Sequence, residues 1–456
     1  MTRSANSQDG RTAKQAKAAP KASIFGLDFV LHTAEFTKKA VARHGHVWEV
    51  HIAAVGPSVY GLAGAEGLQA FYDPQNIARY PAADSSLLLN LWTSNGFPGL
   101  PPLDGEGFLR RKNNFLTLTT WDAAEKLLQA TDQPIVEALQ HIGRDGSTFS
   151  YWDFSNRLIL GLYSKQWFGL GIEDWNGGKH AADIVVAVQD AFAIFGDKHL
   201  THRPQELAKI MLTDYFQAAL AALRSQPKEH GKALLAAYLQ TPESQKLNDD
   251  ELIMDMFQML VTGTYGLLIQ GNSLMYRLLK HPKIRAKIAA EISNIQEPLT
   301  IKTLLAQKYT EAFVKETLRW YPAVFALAGH STRDFVVEGK LVPAGVKVLA
   351  CLYGTCHDPT VFEDPESFDP ERHLPPRSEG PQAFWNDYSV VFGAGNNRTG
   401  HSCAGKWLAM AHLLHITIRL VQNWNFEMAD DSEQIEWPRF EPHPENGLML
   451  QRVPLQ

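Results

Sequence analysis

Apolar residues return every three or four positions through the middle of the chain, the repeat that gathers them on one face of an α-helix. The pattern predicts helices over residues 107–115, 124–143, 180–195, 204–225 and 249–280. The last stops before His281-Pro282, because proline disfavours a helical residue ahead of it. Two-residue alternation is confined to short runs. Residues 47–54 and 59–62 read as strands near the N-terminus, and 335–338 and 346–352 as two more around a turn at Pro343-Ala344-Gly345. Turn-rich sequence fills 95–104, and a glycine-rich loop leads into an apolar helix over 404–421. The sum is a mainly α fold with a small β region.

Composition narrows this further. The chain has 456 residues, 45% apolar and 20% charged, without an interior linker, repeat or low-complexity block. That predicts one large domain over 23–456. Residues 1–22, with five basic side chains against the single acid Asp9, read as a disordered tail. A net charge of −6 and no basic stripe argue against a nucleic-acid partner. Three cysteines cannot build a secreted disulfide framework, so free thiols in a reducing, cytoplasmic compartment are expected. The most apolar stretch, 259–269, is interrupted by Thr262, Gly263, Thr264 and Gly266, so no transmembrane anchor is expected.

The segment from Phe392 to Cys403 carries most of the chemistry. Gly393, Gly395 and Gly400 precede the cysteine and Gly405 follows it, permitting positive φ and close approach of backbone to a flat ligand. Cys403 is expected to open the following helix, where unpaired N–H groups favour a thiolate. A thiolate is the strongly donating ligand that promotes O–O cleavage at haem iron. On the loop alone two readings stand: a haem ligand, or a small buried residue at a helix start. In a second segment Glu316 and Arg319, three apart, share a face with Ala312, Phe313 and Trp320 and so point inward. Inward charges need partners, and Arg372 in Asp369-Pro-Glu-Arg-His373 is available as a third member. The alternative is a solvated surface ion pair.

Together, Glu316-Thr-Leu-Arg319, the Asp369–His373 segment and the loop into Cys403-Ala-Gly resemble the cytochrome P450 superfamily, most specifically over 310–420. The resemblance implies a triangular prism of helices and haem b. It implies that Cys403 is the axial ligand and that Glu316, Arg319 and Arg372 form a structural triad. The sequence departs from the usual pattern in two places. Phe392 lies eleven residues before the cysteine instead of seven, and His401 stands where an arginine is usual. Both features look like the fatty-acid peroxygenase branch, whereas Cys403-Ala-Gly-Lys406 is similar to the allene oxide synthase branch. By the same resemblance the haem propionates would be met by Arg111 or Lys112, by His330 and by His401, with Phe392 against the cofactor. Counting back from His281-Pro282, Tyr265 and Gly266 fall where dioxygen-activating members carry an acid and a threonine.

The expected activity is therefore oxidation of a small lipophilic molecule. Use of hydrogen peroxide, or rearrangement of an organic hydroperoxide, is favoured over dioxygen activation. Three rivals remain: a monooxygenase fed by NAD(P)H through a ferredoxin- or flavodoxin-type partner, a non-catalytic haem sensor or carrier, and a haem-free module with zinc at Cys351, Cys356 and His357. Residues 87–91 and 325–327 are the apolar candidates for a substrate pocket.

Overall fold

The computed structural model describes residues 16–22, 33–52, 56–79, 104–192, 203–379, 390–393, 396, 398–436, 443–444 and 446–453. Within them the helical rhythm of the sequence becomes Gly105–Leu118, Trp121–His141, Ala181–Phe192, Arg203–Ser225 and Asp249–Lys280. A further long helix, Tyr151–Phe168, starts where the Ser150 side chain accepts the Asp153 N–H and stops at Gly169, whose φ of +76° ends the spiral. The 121–141, 151–168 and 249–280 helices pack with Lys406–Gln422 into a bundle that holds most of the apolar core.

The main sheet has six strands in the order Lys21–Ala22, Val47–Ile52, Gly56–Leu62, Lys347–Cys351, Ala326–Ser331 and Ile77–Ala78. Gly61 has a steric reason: a Cβ there would lie 2.1 Å from the buried ring of Trp48. The N-terminal expectation is corrected in part. Lys17–Ala18 pairs with Lys340–Val342, and Lys21–Ala22 pairs with Val47–Ile52. These segments are ordered because sheet edges satisfy their backbone groups, as in the 2.9 Å bond from Lys17 N–H to the Gly339 carbonyl. Residues 1–15, 53–55, 80–103 and 193–202 lie outside the described residues, and with them the ends of two expected elements and the pocket candidates 87–91.

Among the described residues one helix, Asp249–Lys280, is long and apolar enough to cross a membrane by length and composition. Its most apolar stretch is 67% buried in the protein, as befits the helix at the centre of a bundle. Near its end Arg277 is held by aromatic faces, its guanidinium 4.5 Å from the ring centres of both Trp320 and Phe368 while donating to the Tyr321 hydroxyl at 2.8 Å.

The structure brings Glu316, Arg319 and Arg372 together. Arg319 binds both carboxylate oxygens of Glu316 at 2.8 Å, and Arg372 Nε donates to Oε1 at 3.1 Å. A fourth member, not marked by the spacing, completes the cluster: His373 Nε2 lies 2.9 Å from Oε2. Burial lowers the His373 pKa, so this ring is a neutral donor. The guanidiniums then bond loop carbonyls: Arg319 reaches Cys356 and Pro365, and Arg372 reaches Glu363, Asp364 and Ser367.

Burial alone would raise the Glu316 pKa, but the bonds from Arg319 and His373 outweigh it and hold the carboxyl at about 2. A group depressed in this way stabilises the fold fully above its unfolded pKa of about 4.3, and the contribution is lost as pH falls through about 2. Glu316→Gln leaves buried Arg319 without its counter-charge and Arg372 with Glu379 alone, and is expected to cost about 3–5 kcal/mol in a urea melt. Its stability should also decline less over that acid window, where Glu366 and other paired carboxylates still titrate; unchanged acid sensitivity would refute the assignment. His46 behaves oppositely. Its bonds to Asp358 and Glu338 raise its pKa to about 9 despite partial burial. Its contribution is complete below about 6.5 and is lost as pH rises through about 9. Thermal melts from pH 7 to 10 should show this decline, and His46→Gln should flatten it.

Candidate functional site

The cysteine loop folds back on itself. Cys403 N–H donates to the Phe392 carbonyl at 2.7 Å, so the extra residues between them leave the two ends in contact. Phe392 is half-buried and packs on the bundle core. Gly393 takes a φ of +74°, and a Cβ there would meet the His401 carbonyl at 2.9 Å and the Tyr72 hydroxyl oxygen at 3.1 Å. This is the position where the loop requires glycine.

The helix after the cysteine begins at Lys406, with Gly405 as its N-cap, so Cys403 stands ahead of the helix and does not open it. Cys403 is exposed as a residue, unlike Cys351 and Cys356, which are buried. Protein nevertheless surrounds it closely enough that desolvation raises its pKa, against the opposing pull of the Gly405 N–H, Lys112 and Lys406. The expected helix-driven depression is thus corrected: burial wins over the nearby donors. A cation bound at the sulfur would reverse that balance, since coordinating thiols are deprotonated outright.

Three further groups gather here, with His330 on the strand that pairs next to Arg79. Lys112 is 1% exposed and donates to the Ser402 carbonyl at 2.6 Å and to that of Gly400. Burial pushes its pKa down to about 8. Arg79, which the sequence reading missed, is 6% exposed, donates to the Ala328 carbonyl at 2.9 Å and lies 4.2 Å over the Phe71 ring. Its charge bears on His401 and Tyr72. His401 stacks on Phe108 with ring centres 4.1 Å apart, and its Nε2 lies 3.4 Å from Asp104 Oδ1. Burial lowers its pKa, so it offers a neutral donor in place of an arginine's charge. His330 sits half-buried on the Ala326–Ser331 strand, paired with Ala78 and Lys347, and burial and Lys347 keep it neutral too. Arg79 had one sequence signal: an arginine directly after the short apolar Ile77-Ala78 run, where an inward side chain would be charged.

Arg111 is not part of this gathering. It binds the buried Asp255 of the central helix, Nε to Oδ1 at 2.8 Å, and so is withdrawn from the cysteine side. On the central helix the segment Gln258–Thr262 widens into a π-helical turn, which periodicity did not foretell. Thr262 and Gly263 are exposed in the middle of this largely buried helix, and Tyr265 and Gly266 are half-buried. A Cβ on Gly266 would come no closer than 3.8 Å to Ala323, so the glycine leaves room. Thr264 is buried and bonds its hydroxyl to the Leu260 carbonyl at 2.5 Å.

Two cationic side chains, Lys112 and Lys406, thus act on Cys403, with Arg79 close by and Asp104 acting on Arg79. These buried cations and the exposed Cys403 fit a group that brings a metal for the thiolate and carboxylates for the cations. Haem with its propionates is such a group. Among the described residues no cluster of three or more His, Cys, Asp or Glu could hold a bare metal ion, and His357 is turned toward Glu366 and the Trp320 carbonyl, which leaves the zinc reading without support.

Comparison with known proteins follows the same line. The family model described as cytochrome P450 matches residues 180–456. Cytochrome P450 26B1 of Danio rerio is 25% identical over 435 residues, 90% of this chain and 80% of its own length. Other curated relatives are matched over 44–62% of their length. The retinoic acid-bound cyanobacterial CYP120A1 superposes with a TM-score of 0.80 at 20% identity, covering 96% of this chain and 100% of that one. Cytochrome P450EX alpha with myristic acid gives 0.75 at 21%, covering 95% and 98%. At these identities the two structures testify to the fold. The loop geometry yields a prediction of its own: Gly393→Ala, forced to positive φ against a carbonyl, should lose about 1–3 kcal/mol in a thermal melt, whereas Gly405→Ala, with open space around its Cβ, should stay near wild type.

Proposed function

Because the chain belongs to the cytochrome P450 family, an oxidoreductase family built on haem b, we propose that it oxidises a small lipophilic molecule at a haem ligated by Cys403, with peroxide or a hydroperoxide as the oxidant. The observation that carries the reading is the exposed Cys403 on a closed loop flanked by buried cations. Bound through a thiolate, the haem supplies the oxidising power, since sulfur donation favours O–O cleavage.

The chain's own residues supply the rest. Lys112 and Arg79 would meet the propionates as cations, His401 and His330 would serve as neutral donors, and Phe392 would back the cofactor from the core. Residues 23–456 form one haem domain in this proposal, and the compartment is the cytoplasm. Apolar walls such as Phe325 and Ala326, each 2% exposed, suit a lipophilic ligand. The relatives recorded with retinoic and myristic acid are in keeping with that class.

Peroxide is favoured because Tyr265 and Gly266 stand where an acid and an alcohol would deliver protons to dioxygen. A second reading, a monooxygenase fed by a ferredoxin- or flavodoxin-type partner, is favoured by the exposed Thr262 hydroxyl nearby on the same helix. The reduced, CO-bound protein should show the red-shifted Soret band of thiolate ligation, and Cys403→Ser should abolish it. Turnover with hydrogen peroxide is then compared with turnover using a surrogate reductase and NADPH. Product only in the reductase arm would sink the peroxide reading; full haem loading without product in either arm, over a lipid panel, would leave a haem carrier.

A further inference from the structure

Two tryptophans beside the cysteine loop take no part in the site as described. Among the large apolar side chains exposed in the described residues, Trp121 is the one aromatic. It is 39% open to solvent and is the first residue of the 121–141 helix. Its ring leans on Trp407, with centres 5.2 Å apart and planes at 49°. Trp407 is half-buried in the first turn of the 406–422 helix, four residues after Cys403. The pair is fixed to the loop as well. The Thr119 hydroxyl, two residues before Trp121, donates to the Ala404 carbonyl at 2.7 Å.

Aliphatic side chains can also join two helix ends. What indoles add is ease of oxidation, since an indole gives up one electron far more readily than an aliphatic or benzyl group. Lys406 sets a direction between the two rings. It is 7% exposed, and its Nζ lies 5.0 Å from the centre of the Trp407 ring. A buried cation at that range attracts the neutral π face and repels positive charge placed on the ring. Beside Trp121, the exposed Asp122 offsets Lys126 at 2.8 Å. Removing an electron therefore costs more at Trp407 than at Trp121. An electron lost from Trp407 is replaced from Trp121, and the hole comes to rest on the ring that large solutes can touch.

We propose that Trp121 and Trp407 form an electron entry through which this protein oxidises phenols carried on molecules too large to enter the fold. The inference rests on the haem and peroxide readings above. One hydroperoxide, ROOH with R either hydrogen or carbon, takes up two electrons and two protons at the haem site. Its O–O bond breaks, and it leaves as ROH and water. At the surface two phenols each lose one electron to Trp121 and one proton to water, and become phenoxyl radicals. Electrons pass singly from Trp121 to Trp407 and on past Cys403, so each indole is oxidised and restored twice per peroxide. The two protons released outside balance the two consumed inside.

The test uses the haem-loaded full chain as wild type, Trp121→Phe and Trp121→Tyr. The CO-bound Soret band of each is recorded first, so that failure of the haem reading shows separately. The reductant is tyramine coupled to a large dextran, whose phenol cannot reach the interior, and its cross-linking is followed by fluorescence after hydrogen peroxide is added. Trp121→Phe should slow cross-linking at least about tenfold, whereas Trp121→Tyr, which keeps an oxidisable ring, should recover most of the rate. A second readout needs no reductant. Wild type frozen soon after mixing with peroxide should give the electron paramagnetic resonance signal of an indole radical, narrowed by ring-deuterated tryptophan and lost in Trp121→Phe. Lipid oxidation by peroxide without dextran cross-linking would overturn the electron entry and leave the peroxide reading standing. Cross-linking or a radical signal that survives in Trp121→Phe would overturn it too. A merely structural pair of rings would shift the melting temperature, and the Phe and Tyr variants would then cross-link alike.

Discussion

A carboxylate buried without exposure, Glu316, is answered by two guanidiniums and an imidazole, and the chain between the sheet and the cysteine loop is arranged around that fact. The segment from Cys356 to Ser367 makes turns with few ladder bonds of its own, and its carbonyls would otherwise be stranded in the interior. Arg319 and Arg372 spend their remaining donors on them, so one charge cluster replaces the secondary structure that this loop lacks. Removing the carboxylate would unsettle the guanidiniums first and the loop through them.

Much of this was legible because it is periodic or local. The helices around 124–143, 204–225 and 249–280 announce themselves by an apolar stripe, and Glu316 with Arg319 by sharing a face with Phe313 and Trp320. Features that depend on contact across the fold were not. The π-helical turn at Gln258–Thr262 leaves no mark in a 3.6-residue pattern. Arg79 becomes a buried cation only because the Ile77–Ala78 strand pairs with Ala326–Ser331. Cys403 was expected to gain a thiolate from a helix terminus, but the helix starts three residues later and desolvation decides its pKa in the free protein. His373 joins Glu316 because a short turn of helix after Asp369 swings it round, a geometry that spacing alone does not specify.

The 105–118 helix shows how two neighbours can serve different sites. Arg111 and Lys112 are adjacent in sequence, so their side chains leave the helix about 100° apart. Arg111 reaches the central helix at Asp255, while Lys112 reaches the carbonyls that precede the cysteine. Exchanging the two would not be conservative, since Arg111 presents a planar fork to a carboxylate and Lys112 a single ammonium to two carbonyls.

The bond from Cys403 N–H to the Phe392 carbonyl makes the intervening segment a ring pinned at its neck. The entropy of closing such a ring grows only logarithmically, by about 0.6 kcal/mol for each doubling of its length. Residues can therefore be added to or taken from its far side at little thermodynamic expense while the sulfur stays where it is. That makes the arc a natural place for length variation among kin, and for grafting a reporter peptide close to the reaction centre.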